Sequence, residues 1–428
     1  MMTLDQSKIK EGMMELWNKI FHDSKEFISL IFDNYFERGI HVCHIDNNRV
    51  VASILGIPYD FYYGNKKLKG LYLCGIATDF KYRRKGLMTS LLKEIEEKSK
   101  EDFDFLFLIP SDEAKRIIYS EKGYYNAIYK VHEFYTSVHD FDIEFQSTLY
   151  NFDSHIRKLK SDLYSSLNVM KLSELDETGV NDVIDFIIDF EELHKRYLQL
   201  RHSREDLVIA IEDNRLSRGE IFVCKDKEGH ITCVMFTVPG SDGRIKIISQ
   251  YCHDACSYFK VMSKIKKYFA EMPLTVLRFP EEVKGTSLWQ DTSMVANPDG
   301  QQLESLVGVE TRVFYSADHS LPYGMIKVNK PEKFIDLLVN FRKDISMKLF
   351  LITGEERDNI FIEFKNGKYT ITFTPDTLSE IKKKEKNLTI LKEKDFIEIL
   401  FRKKRKDDII MEAFGIPRLP INISLMLD

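Results

Sequence analysis

Residues 71–95 read LYLCGIATDFKYRRKGLMTSLLKEI. The stretch opens as an apolar strand, Leu71 to Thr78, and passes through a short polar turn to Arg83, Arg84, Lys85 and Gly86. Leu87, Met88, Leu91, Leu92 and Ile95 then recur at helical spacing, so a helix begins at once. Strand, basic glycine turn and helix N-terminus together make an anion cradle. The first N–H groups of a helix have no intrahelical acceptor, and the helix dipole places positive potential there. Gly86 lets the backbone come close to a phosphate, and the three cations add charge. This predicts a grip for a pyrophosphate; the competing reading is a solvated basic turn.

Downstream, Phe105 to Ile109 form a second apolar strand that Pro110 ends. Ser111 or Asp112 reads as the N-cap of a helix with acids in its first turn. That helix carries Ile117, Ile118 and Tyr119 and stops at Gly123, before another apolar strand.

The hairpin pattern upstream returns later. Gly39-IHVCHIDNNRVVASILGI-Pro58 and Gly219-EIFVCKDKEGHITCVMFTV-Pro239 share a glycine, a Val-Cys strand, a polar turn, a second apolar strand and a proline. The turns are Asp46-Asn47-Asn48 and Asp226 to Gly229, and a helical pattern precedes each hairpin. We read an internal duplication. The helix after the second hairpin, near Cys256, has no basic glycine turn before it, so the second copy lacks the cradle.

From Met325 onward the pattern is α+β. A strand leads to Pro331, a helix start, and to an apolar face of Phe334, Ile335, Leu337, Leu338 and Phe341. NIFIEFKNGKYTITF alternates around Asn366-Gly367, a hairpin signal. A strand at Asn387–Leu391, a helix at Asp395–Phe401 and an extended run at Ile421–Leu427 follow.

Composition sets outer limits. The chain has 428 residues, 43% hydrophobic and 30% charged, which fits a soluble globular protein of about two or three domains. A net charge of −5 does not favour nucleic acid as a partner. The N-terminus lacks a signal-like apolar core and no apolar run reaches membrane-spanning length, so no membrane partner and a cytoplasmic location are expected. Six cysteines in a chain this long do not make a disulfide framework, and Cys252 to Cys256 is too loosely spaced for a metal site. Lys382–Lys384 and Arg402–Lys406 have acids beside them and read as solvated faces.

The order of elements at 71–129 resembles the GNAT acetyltransferases, whose acetyl-coenzyme A loop is Arg/Gln-x-x-Gly-x-Gly/Ala after a Val-Ala-Val or Val-Ala-Thr strand. Here the strand ends Ile76-Ala77-Thr78 and the loop is Arg83 to Met88, with Met88 where the pattern has a small residue. Tyr119-Ser120-Glu121-Lys122-Gly123-Tyr124 is similar to the family's tyrosine ahead of an aromatic-Gly-aromatic stop. The whole layout resembles the Eis-type members. It implies an α/β (α+β mixed) fold: tandem GNAT-like domains with mixed central sheets, then an α+β sterol-carrier-protein-like domain. The domains would be 1–140 (catalytic), 141–310 (lacking the loop) and 311–428.

The resemblance implies acetyl transfer from acetyl-CoA, as co-substrate and without a metal, to a primary amine: a small cationic amine or a peptide amine. The donor would lie on Ile76, Ala77, Thr78, Arg83, Arg84, Lys85, Gly86, Leu87, Met88 and Ser111. Tyr119 would protonate the departing thiolate; otherwise it is only a packed helix residue. The carboxylate of Asp428 would act as base, or else the end is a loose tail. Asp23, Asp112 and Glu113 are further sources of negative charge for a cationic acceptor. Relatives imply a homo-oligomer, often a hexamer. Two other readings stand beside the enzyme: a ligand- or lipid-binding protein with a degenerate GNAT domain, and an assembly scaffold.

Overall fold

The computed structural model of the chain describes residues 5–193, 198–270, 272–279, 321–339, 347–353, 359–365, 368–385, 387–401 and 421–423. It divides into two compact units: Met1–Tyr129 with Lys195–Arg201 and Pro322–Asn422, and Lys130–His194 with His202–Leu321 and Ile423–Asp428.

The first unit begins with α1 (Gln6–Phe21), capped by the Asp5 carboxylate on the Lys8 N–H at 2.9 Å, and α2 (Lys25–Tyr35), capped by Ser24. Met13, Leu16 and Trp17 on α1, and Ile28, Ile31, Phe32 and Tyr35 on α2, are the buried stripes that helical periodicity demands. Strands β1 (Ile40–Asp46) and β2 (Arg49–Tyr63) form the first hairpin; Asn47 and Asn48 both have positive φ, as a tight primed turn requires. Strand β3 (Lys66–Thr78) pairs antiparallel with β2, and helix α3 (Leu87–Ser99) returns the chain to β4 (Phe105–Leu108), parallel to β3. Helix α4 (Glu113–Ser120) and strand β5 (Tyr125–Tyr135) follow.

In the second unit, α5 (Phe141–Leu149), α6 (Ser154–Ser166) and β6 (Asn168–Lys171) precede α7 (Glu177–Leu193). Strand β7 (Leu198–Arg201) pairs with β2 and belongs to the first unit. The second unit continues with α8 (Arg204–Leu216), the hairpin β8 (Glu220–Lys225) and β9 (Ile231–Pro239), then β10 (Ile245–Cys252), α9 (Ala255–Tyr268) and β11 (Leu274–Arg278). Its sheet order is β5-β11-β10-β9-β8-β6, with β10 and β11 parallel. The order α-α-β-β-β-α-β with a parallel last pair thus occurs twice. Gly39 and Gly219 enter the two hairpins in the same way. A Cβ on either would lie 2.3 Å from a carbonyl oxygen of the partner strand, Gly56 O or Thr237 O.

Late elements complete the first unit. They are β12 (Leu321–Val328), α10 (Pro331–Val339), β13 (Met347–Ile352), β14 (Asn359–Lys365), β15 (Lys368–Thr374), α11 (Leu378–Lys384), β16 (Leu388–Lys392), α12 (Glu393–Phe401) and β17 (Ile421–Asn422). Strand β12 pairs with β4, and β17 pairs with β7. Strands β15-β14-β13-β16 form a separate sheet. Register Lys365 opposite Lys368 fits the expected tight hairpin; Asn366 and Gly367 themselves, the tract 402–406 and Asp428 lie outside the described residues.

One pair of cysteines is joined, and the other four are free thiols. Cys252 is bonded to Cys233 across β9 and β10, and Asp254 serves as the N-cap of α9. Among the described residues no cluster of His, Cys, Asp or Glu could hold a metal ion, and no helix is long and apolar enough to cross a membrane.

One residue shapes the first sheet more than its neighbours. Gly75 interrupts β3 with φ +56°, and a Cβ there would lie 2.3 Å from the Trp17 ring. Gly75→Ala combines a left-handed penalty with overpacking. It is expected to destabilise the protein by about 2–4 kcal/mol, read as a lower denaturant midpoint at unchanged slope. An unaltered midpoint would show that α1 does not press on β3.

Candidate active site

Strands β3 and β4 pair only where Gly70, Leu71 and Tyr72 face Phe105, Leu106 and Phe107. Beyond them β3 stays with β2 as far as Thr78, opposite Ala52, while β4 continues only to Leu108, paired along its other edge with β12. The two parallel strands therefore fork after Tyr72 and Phe107. From Leu73 onward the β4-side edge of β3 has no strand partner among the described residues, an open edge of the kind an extended ligand can pair with. Gly75 and Ile76 form a bulge in this arm, since Ala77 faces Ser53 and Cys74 faces Leu55. Ile76 and Thr78 are half-buried and Ala77 is buried.

The fork leads into the basic turn. Phe80–Tyr82 make one 3-10 turn, Arg83 is extended, and Arg84 and Gly86 have φ of +61° and +79°. Gly86 is the N-cap of α3, and no side chain caps that end. The Ser90 N–H closes the first helical turn on Gly86 O at 3.0 Å, which leaves the N–H groups of Leu87, Met88 and Thr89 without intrahelical acceptors. Arg83, Arg84 and Lys85 are exposed, and among the described residues none of them meets a carboxylate. Arg83 lies 4.2 Å over the Phe80 ring and donates from Nε to Thr78 O at 3.3 Å; Lys85 Nζ lies 4.7 Å from the Tyr82 ring centre. Uncompensated positive charge thus gathers at a bare helix N-terminus. The second copy differs at the matching place, where the Asp254 carboxylate accepts from the Ser257 N–H at 2.9 Å and already occupies the helix end.

Tyr119 lies on the inward face of α4, 7% exposed, while Ile117 and Ile118 face outward. Its ring meets Tyr124 edge-on at 6.2 Å. It shares one apolar cluster with Leu73 and Leu108, which flank the fork, and Ile76, Leu87 and Met88 pack against the same cluster. Burial, and less so the Asp112 carboxylate, push its phenol up to about 12. The helix end is tied by the Tyr124 N–H on Tyr119 O at 3.1 Å. Asp112, not Ser111, caps α4, accepting from the Lys115 N–H at 2.8 Å, which holds its carboxyl below the usual range. Ser111 is exposed just past β4, with its hydroxyl on Asp112 at 3.1 Å.

Three features escaped the sequence reading. The fork is a matter of strand register. The bulge had a signal, an isolated glycine inside a strand pattern. Trp17 donates from Nε1 to Asp23 Oδ2 at 2.7 Å while its ring lies on Gly75, so the loop between α1 and α2 stands beside the bulge.

No curated protein sequence matches the chain. Several solved structures share its fold. One is a conserved protein of Enterococcus faecalis described as a probable N-acyltransferase (TM-score 0.62, 10% identity, covering 95% of this chain and 90% of that one). Another is a GCN5-related N-acetyltransferase of Anabaena variabilis (TM-score 0.59, 11% identity, 97% of each chain). A third is Eis1 of Mycobacterium abscessus (TM-score 0.56, 7% identity, 97% and 92%). At such identities the likeness is one of fold: a mixed α/β chain in a tandem GNAT-like arrangement. The family described as the acetyltransferase (GNAT) domain matches residues 4–127, the segment that carries the fork, the basic turn and Tyr119.

Proposed function

We propose that the chain is an N-acetyltransferase that moves an acetyl group from acetyl-CoA directly to a primary amine. The observation that carries this is the β3–β4 fork opening onto an uncapped, cation-flanked helix end. A thioester arm fits the open edge of β3 as a short extra strand. The N–H groups of Leu87 to Thr89, with Arg83, Arg84 and Lys85, would hold its pyrophosphate, and Ser111 would flank the donor at the end of β4. A backbone N–H at Ile76 or Ala77 would stabilise the oxyanion, a contribution of about 3 kcal/mol. Tyr119 would give its proton to sulfur as the C–S bond breaks, and the fork itself would supply approximation of amine and thioester.

The Asp428 carboxylate is proposed as the base that takes the amine proton. Strand β17 runs parallel to β7, hence in the same direction as β3, toward the forked end of the sheet. Extra residues after Asp428 are expected to lower kcat at least tenfold without weakening donor binding; full activity with such an extension would discard this base. Asp23, beside the bulge, is a second carboxylate for a cationic acceptor. The division into 1–140, 141–310 and 311–428, with a sterol-carrier-like last part, and a homo-oligomeric state belong to the same proposal.

Thiol release from acetyl-CoA with a panel of polyamines, aminoglycosides and lysine peptides tests the reading. Acceptor-dependent turnover is expected, and none with any amine would overturn it. The lipid-binding alternative draws little from the apolar cavity among β12, α10, β13, β14 and α12. Phe334, Leu351, Ile360, Phe396 and Ile397 line it, but its volume is only about 10 Å³, room for about one water and far too little for a lipid chain.

A further inference from the structure

The turn that carries the cations is fastened just ahead of them. Asp79, 6% exposed, accepts from Lys19 Nζ of α1 at 2.5 Å and from the Lys81 N–H at 3.1 Å; its own N–H donates to Val51 O of β2 at 2.9 Å. Lys19, and then the Lys81 N–H, hold the Asp79 carboxyl below the usual range, so it stays charged at neutral pH. Three residues on, the Tyr82 hydroxyl donates to Asp46 Oδ2 at the end of β1 at 2.5 Å. Arg83 follows immediately. The root of the turn is therefore bound to three different elements before Arg83. Helix α1 also lays Trp17 on Gly75 in the fork. One helix thus touches both ends of the proposed donor site.

We infer that Lys19, Asp79, Tyr82 and Asp46 are positioning residues that fix the phosphate turn relative to the fork, with α1 as the strut between them. The inference rests on the function proposed above and adds residues that the reading does not need. None of the four is placed on the donor. Their effect runs through the turn: N–H groups and cations bind a phosphate only at short range, and a turn free to swing must be ordered each time the donor binds. The expected signature is a change in donor affinity with the chemical step left alone.

The test uses the full chain and coenzyme A as probe. Asp79→Asn with Tyr82→Phe is expected to weaken coenzyme A binding in titration calorimetry by about tenfold, with kcat at saturating acetyl-CoA within about twofold of the parent. Amide exchange across residues 80–88 of the donor-free protein should quicken, a readout that does not depend on catalysis. Lys19→Arg, which keeps the charge on Asp79, should hold affinity near the parent value. Unchanged affinity and exchange in the double variant would overturn the inference while leaving the donor site intact. A fall in kcat as large as the loss of affinity would also overturn it. Failure of the parent chain to bind coenzyme A would remove the donor-site reading and the strut together.

Discussion

Gly86→Asp combined with Arg83→Ala raises the Michaelis constant for acetyl-CoA by about a hundredfold or more, and the protein stays folded. Both halves of that expectation come from the geometry at α3. A Cβ at position 86 meets nothing within 4 Å, so the only penalty is the left-handed backbone at φ +79°, about 1–2 kcal/mol. Asp as N-cap gains only a few tenths of a kcal/mol over glycine. The net loss of stability is therefore about 1 kcal/mol, too small to unfold a domain. The loss in binding is larger. The new carboxylate would take the N–H groups that phosphate needs, and Arg83 removes one of three cations. Two charge-assisted hydrogen bonds at about 1.5–3 kcal/mol each account for the size of the effect. Initial-rate kinetics over acetyl-CoA check it, and unchanged constants would refute the placement of the pyrophosphate.

Tyr119→Phe lowers kcat by about 10²–10⁴-fold with donor affinity retained. The substitution is clean. The hydroxyl has no hydrogen-bond partner among the described residues, and the ring contact with Tyr124 and the surrounding cluster is kept. The pH behaviour follows from burial. The folded value of about 12 lies above the ordinary 10.0, so the neutral phenol is the form the fold favours. Its contribution to stability is present below pH 10 and is lost as pH rises through about 12. The acid thus stays loaded across any practical assay, and Tyr119 should impose no alkaline limb on kcat between pH 6 and about 10. A parent-like rate in Tyr119→Phe would remove it as the acid.

What the sequence disclosed and what it withheld separate along a physical line. The strand at 71–78, the helix from Leu87, both hairpins and the helix at Pro331 are legible because each is written in local periodicity and turn chemistry. The cation-rich glycine turn is legible for the same reason. The fork depends on where β3 and β4 stop pairing, which no local pattern encodes. The Lys19–Asp79 tie spans 60 residues, and Tyr82–Asp46 spans 36. Ser111 and Asp112 both fit an N-cap by type, and only the folded backbone chooses Asp112. Asp428 lies outside the described residues, and its role remains a proposal.

The strands that flank the first hairpin and the fork come from far along the chain. Strand β2 acquires β7 from residues 198–201, and β4 acquires β12 from residues 321–328. A ribosome adds about 5–20 residues per second, so roughly ten to forty seconds separate synthesis of Leu108 from that of Val328. Through that interval the edge of β4 that β12 will cover stays open, and for the first part of it, until Arg201 is made, so does the stretch of β2 that β7 will cover; each is ready to capture a neighbouring chain. Polysome crowding, chaperone supply and translation speed then become determinants of how much functional protein a cell obtains.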